Sequence, residues 1–489
     1  MIVRCQVTIP AEFATNIEAT ALLDRQRSAF RREAAPSLAE RKARLARLRA
    51  LVLAYREEVK KAISADFGHR SHYETDIMEL LGVIQSIDYL TRNLRRFMKR
   101  ERRHVGVTYR SGRAWVEYQP KGVIGVMAPW NYPFSLTFIP LATALAAGNR
   151  VMLKPSELTP RTSALIKHML ADIFPSEEVA VVLGGPDVGA AFSSLPFDHL
   201  LFTGGTQIGR KIMKAASDNL VPLTLELGGK SPAIVARGHV NERTLGSIVF
   251  GKLANSGQTC VAPDYVFVHE DDIEAFVTAF GAMVSRFYPQ GPTSPDYTSI
   301  ISDRHYDRLV GLIEDARQQG ARVIELGAGS HPASGRTRLI APTLIIGASE
   351  GSAVMQEEIF GPILPVRSYR KMDEVIDYVN ARPRPLALYY FGKEDGACET
   401  VLNRTTSGNT GINHTLMHVA QDDLPFGGIG PSGMGAYHGI EGFRAMSHAK
   451  GVFVQGRWNL TSLLRAPFGK LADLALKVTL GSSPKSGRK

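Results

Sequence analysis

From Lys121 to Asn413 the chain repeats one unit: a short apolar run, a turn marked by glycine or proline, then a longer stretch with helical spacing. Gly122 to Met127, Val151-Met152-Leu153, Val179 to Leu183, His199 to Phe202 and Leu223 to Leu227 read as strands. Thr159 to Phe174 and Thr206 to Ala216 read as helices, the first with Pro160 in its opening turn, where no N–H is missed. Strands this uniformly apolar must be covered on both faces, which means a parallel sheet sandwiched by helices. The pattern restarts at Gly229. Pro232 to Val235 and Tyr265 to Val268 are strands, and Ile273 to Phe287, Asp303 to Gln319 and Met372 to Asn380 are helices. The fold class is α/β, with two doubly wound α/β domains. At about 150 residues per domain, a chain of 489 residues has room for both and a third, smaller unit.

The first hundred residues are helical. Ser37 and Glu40 form a capping box in which each side chain satisfies an orphan backbone N–H. Leu38, Leu45, Leu48, Leu51 and Leu53 follow at helical spacing, and Gly68 closes the run. A second run spans Tyr73 to Lys99. Val105, Val107, Tyr109, Trp115, Val116 and Tyr118 flank Ser111-Gly112, as in a hairpin. Pro425 to Gly439 is too glycine-rich for a core element. The tail from Ser482 to Lys489 is expected to be disordered.

Net charge is +11, from 58 Lys and Arg against 47 Asp and Glu. It is concentrated. Residues 91–113 hold nine basic residues against Glu101 alone, and residues 444–489 hold nine against Asp473 alone. Neither segment carries a nucleic-acid motif, so no nucleic-acid partner is expected. Cys5, Cys260 and Cys398 are too few and too scattered for a disulfide framework, and none sits in a cluster with metal-ligand spacing. A reducing, cytoplasmic setting is the default, with no metal. Met1 to Pro10 lacks the apolar run of a signal peptide, and no stretch of about 18 apolar residues exists to span a bilayer. Trp458 to Leu480 mixes leucines with Arg465, Lys470 and Lys477. Such a segment either lies on a membrane surface or packs on the enzyme or a partner subunit, and packing is the plainer expectation.

Some residues stand out for chemistry. Gly257-Gln-Thr-Cys260 places a cysteine in glycine- and serine-rich surroundings suited to close ligand approach. A lone cysteine is more often a small buried apolar residue, the expectation for Cys5 and Cys398. Glu226 sits inside an apolar strand, where burial would raise its pKa and fit it for general-base work. The plainer reading is an ion pair with a nearby lysine. Asn131, after a strand, can donate to an oxyanion or simply shape a turn. Phe202-Thr-Gly-Gly-Thr-Gln-Ile-Gly209 lets the backbone approach an anion at a helix N-terminus. Lys154 and Glu157 end a strand, where they can bond ribose hydroxyls or merely each other.

Taken in order, these motifs are specific. Pro129-Trp-Asn131, Lys154-Pro-Ser-Glu157, Phe202-Thr-Gly-Gly, Leu225-Glu-Leu-Gly-Gly-Lys230, Gly257-Gln-Thr-Cys260, Glu357-Glu-Ile-Phe-Gly-Pro362, Leu424-Pro-Phe-Gly-Gly428 and Gly430-Pro-Ser-Gly433 resemble the aldehyde dehydrogenase superfamily over roughly residues 20–455. Ser432 to Gly439 is most similar to its class 3 branch. Asp66-Phe-Gly-His-Arg-Ser71 and the basic tail resemble the bacterial coniferyl aldehyde dehydrogenases.

The resemblance implies an NAD(P)-dependent oxidation of an aldehyde to a carboxylate through a thiohemiacetal and a thioester on Cys260. Asn131 would hold the oxyanion, and Glu226 would activate water. Trp130, Lys154, Glu157, Gly204, Gly205, Thr206, Glu358 and Phe360 would bind the cofactor. Glu157 should repel a 2′-phosphate, favouring NAD, with NADP accepted. Implied substrates are aromatic, cinnamyl aldehydes, the alternative being medium- or long-chain aliphatic ones. Glu226 argues against acyl transfer to coenzyme A, and Cys260 and Glu226 together argue against a non-catalytic scaffold. The implied division is a Rossmann-like NAD(P)-binding domain (1–104 and 121–228), a catalytic domain (229–413), a bridging region (105–120 and 414–450) that pairs two subunits into a homodimer, and a basic extension (451–489).

Overall fold

The computed structural model describes residues 11–33, 35–106, 109–327, 335–457 and 465–481. Its frame is three sheets. In spatial order, the six-stranded sheet runs Gly433–Met434, Leu223–Leu227, His199–Gly204, Val123–Met127, Arg150–Lys154, Val179–Val181. All pairings are parallel except that of Gly433–Met434. The chain builds outward from Val123–Met127 in one direction, then returns to add His199–Gly204 on its other side. The crevice left at such a reversal, beyond the strands' carboxyl ends, is where open α/β sheets bind ligands. The seven-stranded sheet runs Arg322–Glu325, Thr343–Ile346, Ile363–Tyr369, Tyr265–His269, Pro232–Val235, Ala387–Phe391, Asn409–Ile412, with only Arg322–Glu325 antiparallel. A small antiparallel sheet joins Glu101–Arg103, Arg113–Pro120 and Ser447–Val454.

The N-terminal helices pack on the six-stranded sheet because their apolar stripes have nowhere else to go. Leu45, Leu48, Val59, Ile63, Phe67, Val83, Ile87 and Leu94 are buried in one cluster with Phe138, Leu141 and Val151. The capping box forms, with the Ser37 amide donating to Glu40 at 2.6 Å and the Glu40 amide to Ser37 at 3.3 Å. Gly68 ends Arg56–Phe67 in the left-handed region at φ 81°. The expected single run from Leu38 breaks at Tyr55, between Leu38–Ala54 and Arg56–Phe67. After Gly68 the chain turns into His72–Thr75, a π-helical segment Asp76–Leu81, and Gly82–Phe97.

Four expectations need correction. The first strand of the hairpin is Glu101–Arg103, not the apolar residues from Val105, and Val107 lies outside the described residues. Glu101 is held there by Arg103 at 2.7 Å and by Arg444, so charge pairing supplies what apolar spacing does not. The glycine-rich stretch after Pro425 contains the edge strand Gly433–Met434, in which Gly433 lies opposite Glu226. A Cβ on Gly433 would come 2.1 Å from the Leu225 carbonyl oxygen, so glycine is what admits this strand. Residues 414–450 therefore divide between sheets, and the small sheet's last strand runs on to Val454.

The C-terminal helix Lys470–Leu480 is largely exposed. Leu471, Leu474, Val478 and Leu480 are exposed, and only Ala472 is buried. Leu460, Leu463 and Leu464 of the same segment, and the tail from Ser482, lie outside the described residues. No helix of the described residues is long and apolar enough to cross a membrane.

Candidate active site

The carboxyl ends of the six-stranded sheet meet the amino ends of the seven-stranded one around Cys260. Trp130 and Asn131 follow Val123–Met127, Gly205 and Thr206 follow His199–Gly204, and Glu226 is the penultimate residue of Leu223–Leu227. Lys230 precedes Pro232–Val235, Cys260 precedes Tyr265–His269, and Glu358 and Phe360 precede Ile363–Tyr369.

The segment before Cys260 is strained. Asn255, Ser256 and Gly257 take φ of 53°, 51° and 73°. The left-handed region costs a non-glycine residue about 1–2 kcal/mol, so the surroundings must enforce it. Gln258 does so from its side chain, donating to the carbonyls of Asn255 at 2.9 Å and Ser299 at 3.2 Å while its oxygen accepts the Ile301 amide at 3.0 Å. Ser256 donates to the Thr298 carbonyl. The Asn131 side-chain amide donates to the Gln258 carbonyl at 3.1 Å, and the Tyr389 hydroxyl to that of Val261 at 2.6 Å. Cys260 is pinned between anchored neighbours. Burial pushes its thiol up to about 12, and the charges of Glu358 and Glu226 push the same way, against the backbone amides of Cys260 and Val261.

Glu226 is 3% exposed, and neither carboxylate oxygen has a hydrogen-bond partner among the described residues. Burial alone holds its pKa well above the usual carboxylate range. The plainer reading, an ion pair with a lysine, does not hold. Lys230 pairs with Asp264 and donates to the carbonyls of Val354 and Glu357, each at 2.8 Å. A buried acid left unpaired is costly and is a mark of functional sites.

Glu358 belongs to a loop clamped from several sides. Asp264 accepts the Ile359 amide at 2.9 Å, and Arg308 donates to the carbonyls of Glu358 at 3.3 Å and of Ile359. The Glu358 carboxylate lies against Gly228, where an added Cβ would come within 2.0 Å of it. Burial, then the charge of Asp264, pushes it up to about 8, while the Gly229 amide and Lys230 oppose. Phe360, at φ 53°, packs its ring 5.4 Å from Trp130, which also lies 5.0 Å from His305 and 6.3 Å from Phe67. Sequence reasoning missed Arg308, Asp264 and His305. Only Lys230 carried a signal, as the end of the Leu225-to-Lys230 motif.

The remaining candidates line the crevice at the strand-order reversal. Lys154 is buried, with its ammonium 3.4 Å from Glu157, whose side chain is largely exposed. A Cβ on Gly205 would meet open space, and helix Thr206–Ser217 has no side-chain cap. Ile208 donates its N–H to the Gly205 carbonyl at 3.0 Å, which leaves those of Thr206 and Gln207 for an anion. Gly209 lets this helix press on Leu227, where an added Cβ would come within 2.7 Å. An ammonium and a carboxylate at one strand end, and uncapped N–H groups at the next, fit the ribose and pyrophosphate of a dinucleotide.

The aldehyde dehydrogenase family pattern matches residues 5–452. A Caulobacter vibrioides protein named probable coniferyl aldehyde dehydrogenase is 49% identical over 455 residues, 92% of this chain and 94% of that one. The substrate-bound structure of Staphylococcus aureus AldH superposes with a TM-score of 0.87 at 35% identity, covering 95% of this chain and 99% of that one. A Mycobacterium tuberculosis aldehyde dehydrogenase solved with NAD+ superposes with a TM-score of 0.82 at 28% identity, covering 91% and 92%.

Proposed function

Because this chain belongs to the aldehyde dehydrogenase family and oxidises an aldehyde to a carboxylate with NAD(P), we propose that Cys260 is its nucleophile, Glu226 its base and Asn131 its oxyanion donor. The observation that carries this reading is Glu226, buried and unpaired among the described residues, whose charge bears on an anchored Cys260. Glu226, in its ionised form, takes the thiol proton as the sulfur attacks the aldehyde carbon. The new C–S bond gives a thiohemiacetal. Its oxyanion accepts from the Cys260 amide and from the second N–H of the Asn131 amide, the first being bonded to Gln258. Each such donor contributes about 3–4 kcal/mol. A nicotinamide held by Trp130, Glu358 and Phe360 would supply the hydride acceptor, leaving a thioester on Cys260. Once the thiol proton has passed from Glu226 to solvent, the carboxylate takes a proton from the attacking water, the C–S bond breaks, and the carboxylic acid departs as Glu226 returns that proton to the sulfur and the thiol reforms.

Lys154, Glu157, Gly204, Gly205 and Thr206 would hold the adenosine and pyrophosphate, with Trp130, Glu358 and Phe360 at the nicotinamide end. Glu157 disfavours a 2′-phosphate and Lys154 softens that, so NAD is preferred and NADP accepted. The substrate is an aromatic, coniferyl-type aldehyde. The Caulobacter relative's name supports this, and so does an aromatic cluster beside the nucleophile. Tyr389 and Tyr437 lie within electrostatic reach of Cys260. Beyond them Phe426 sits 6.0 Å from Tyr437 and 5.1 Å from His438, and His418 sits 5.7 Å from Tyr389.

The test is NADH release over aromatic, cinnamyl and aliphatic aldehydes with both coenzymes. Cinnamyl aldehydes with NAD should give the highest kcat/KM, and a preference for long-chain aliphatic aldehydes would overturn the substrate assignment. Cys260→Ala should abolish NADH production while NAD binding persists, and Glu226→Gln should let an acyl adduct accumulate on Cys260, seen by mass spectrometry. Near-normal turnover in either variant would refute its assigned role.

The working form is a homodimer in the cytoplasm. Ser447–Val454 and Asn409–Ile412 are edge strands of different sheets, and each leaves a row of backbone groups for a second copy to pair. The two described cysteines are free. The exposed leucines of Lys470–Leu480, flanked by basic residues, suit contact with an anionic lipid surface.

A further inference from the structure

Three charged side chains buried behind the reacting groups have no part in that chemistry. Arg70 and Glu79 are fully buried, and the Glu74 side chain is 13% exposed. They lie on the stretch from Gly68 through the π-helical segment Asp76–Leu81, a rare backbone form that is frequent at functional sites. A buried ion cluster stabilises little by itself, since desolvation offsets the attraction. What it does well is fix geometry, and its hydrogen bonds lead to one place.

Arg70 Nη1 donates to Glu79 Oε1 at 2.9 Å and to the Asn131 carbonyl at 3.2 Å. The second Glu79 oxygen accepts the amides of Phe134 at 3.1 Å and Ser135 at 2.7 Å, anchoring the turn that follows Asn131. Glu74 accepts the Asn255 amide and the Thr298 hydroxyl. Asn255 in turn donates from its side chain to the carbonyls of Asn131 at 2.9 Å and Gln258 at 3.1 Å. The Asn131 carbonyl is thus held by Arg70 on one side and by Asn255, itself held by Glu74, on the other. A second tie runs through Tyr132. The Arg70 guanidinium sits 4.8 Å from its ring centroid, and the Tyr132 hydroxyl is 2.7 Å from that of Thr259, the residue before Cys260.

We propose that Arg70, Glu74 and Glu79 are positioning residues for aldehyde oxidation, a buried ionic brace that sets the Asn131 amide against the Cys260 loop. The proposal rests on the assignment of Cys260 as nucleophile and Asn131 as oxyanion donor. The brace touches neither substrate nor cofactor. Its effect is on transition-state geometry, so it belongs in kcat and not in binding.

The test uses the full-length enzyme carrying Arg70→Lys, which keeps the charge and loses the planar fork, or Glu74→Gln, which keeps the shape and loses the charge. Thermal unfolding, NAD binding, KM for the aldehyde and kcat are measured for each. The expected result is a fall in kcat of about 100-fold, the loss that a misplacement of about 1 Å produces, with KM and NAD affinity changed less than about threefold. Glu74→Asp should recover part of that loss. Unchanged kcat in the folded variants would overturn the proposal. So would a fall in kcat accompanied by a raised KM, weaker NAD binding and lower thermal stability, the pattern of a merely structural cluster. An active Cys260→Ala enzyme would instead overturn the underlying assignment, whatever the Arg70 and Glu74 variants do.

Discussion

Glu358 and Glu226 show how one residue type acquires a different character from its surroundings. Burial raises the pKa of both, acting alone on Glu226 and together with the charge of Asp264 on Glu358. For Glu358 this has a consequence for stability. Its folded pKa of about 8 lies above its ordinary 4.5. The group binds a proton more tightly in the folded state, so its stabilising contribution is full below pH 4.5 and is lost as pH rises through 8. Glu358→Gln, neutral at every pH, should lose less Tm than wild type between pH 5 and pH 9 when both are scanned without coenzyme. Parallel Tm curves would show that Glu358 is already ionised in the fold. Glu226 was legible in the sequence as an acid inside an apolar strand, but two readings stayed open. Lys230 decided between them by pairing with Asp264, 34 positions further on, a choice that no local pattern encodes.

At the scale of elements, the site is made by strand ends and the glycines that let them meet. Gly257 stands in the turn before Cys260 and Gly205 in the turn after His199–Gly204, and the structure gives them opposite expectations. A Cβ on Gly257 would come 2.3 Å from the Gly361 carbonyl oxygen, at a φ of +73° that L side chains avoid. Gly257→Ala should therefore destabilise the enzyme by about 1–3 kcal/mol and abolish turnover, because it drives the Cys260 loop away from the Glu358 loop. A Cβ on Gly205 meets nothing within 4 Å. Gly205→Ala should keep its Tm within a degree or so and raise KM for NAD. Calorimetry with coenzyme titration separates the two, and equal Tm losses would contradict the geometry. Several strands were not anticipated from sequence for related reasons. Ile363–Tyr369 contains Pro365 and Arg367, and Glu101–Arg103 is wholly charged, so neither shows the alternation or apolar run that marks a strand. Pairing makes them strands, with Tyr265–His269 about a hundred positions away for Ile363–Tyr369 and with the next strand of the hairpin for Glu101–Arg103. The helices, whose apolar stripes are local, were anticipated to within a residue or two over Pro160–Ile173, Ile273–Phe287 and Met372–Asn380.

At the scale of the whole molecule, the edge strands and the C-terminal helix are separate surfaces and can be tested together. Truncation after Gly456 keeps Ser447–Val454 and removes the helix. The full chain should elute at the mass of two subunits and float with anionic vesicles, and the truncated one should still elute as a dimer and no longer float. A truncated monomer would place the helix in the subunit contact instead. The sequence by itself determined the alternation of strand and helix, the order of the motifs and the chemical character of Cys260, Glu226 and Asn131, because each depends on residues close together in the chain. Tertiary structure alone decided that Glu226 is unpaired, that Glu358 presses on Gly228, and that Arg70, Glu74 and Glu79 brace Asn131. These facts rest on contacts between residues tens to hundreds of positions apart, and a hydrogen bond or a buried charge is settled by what folding brings within about 3 Å of it.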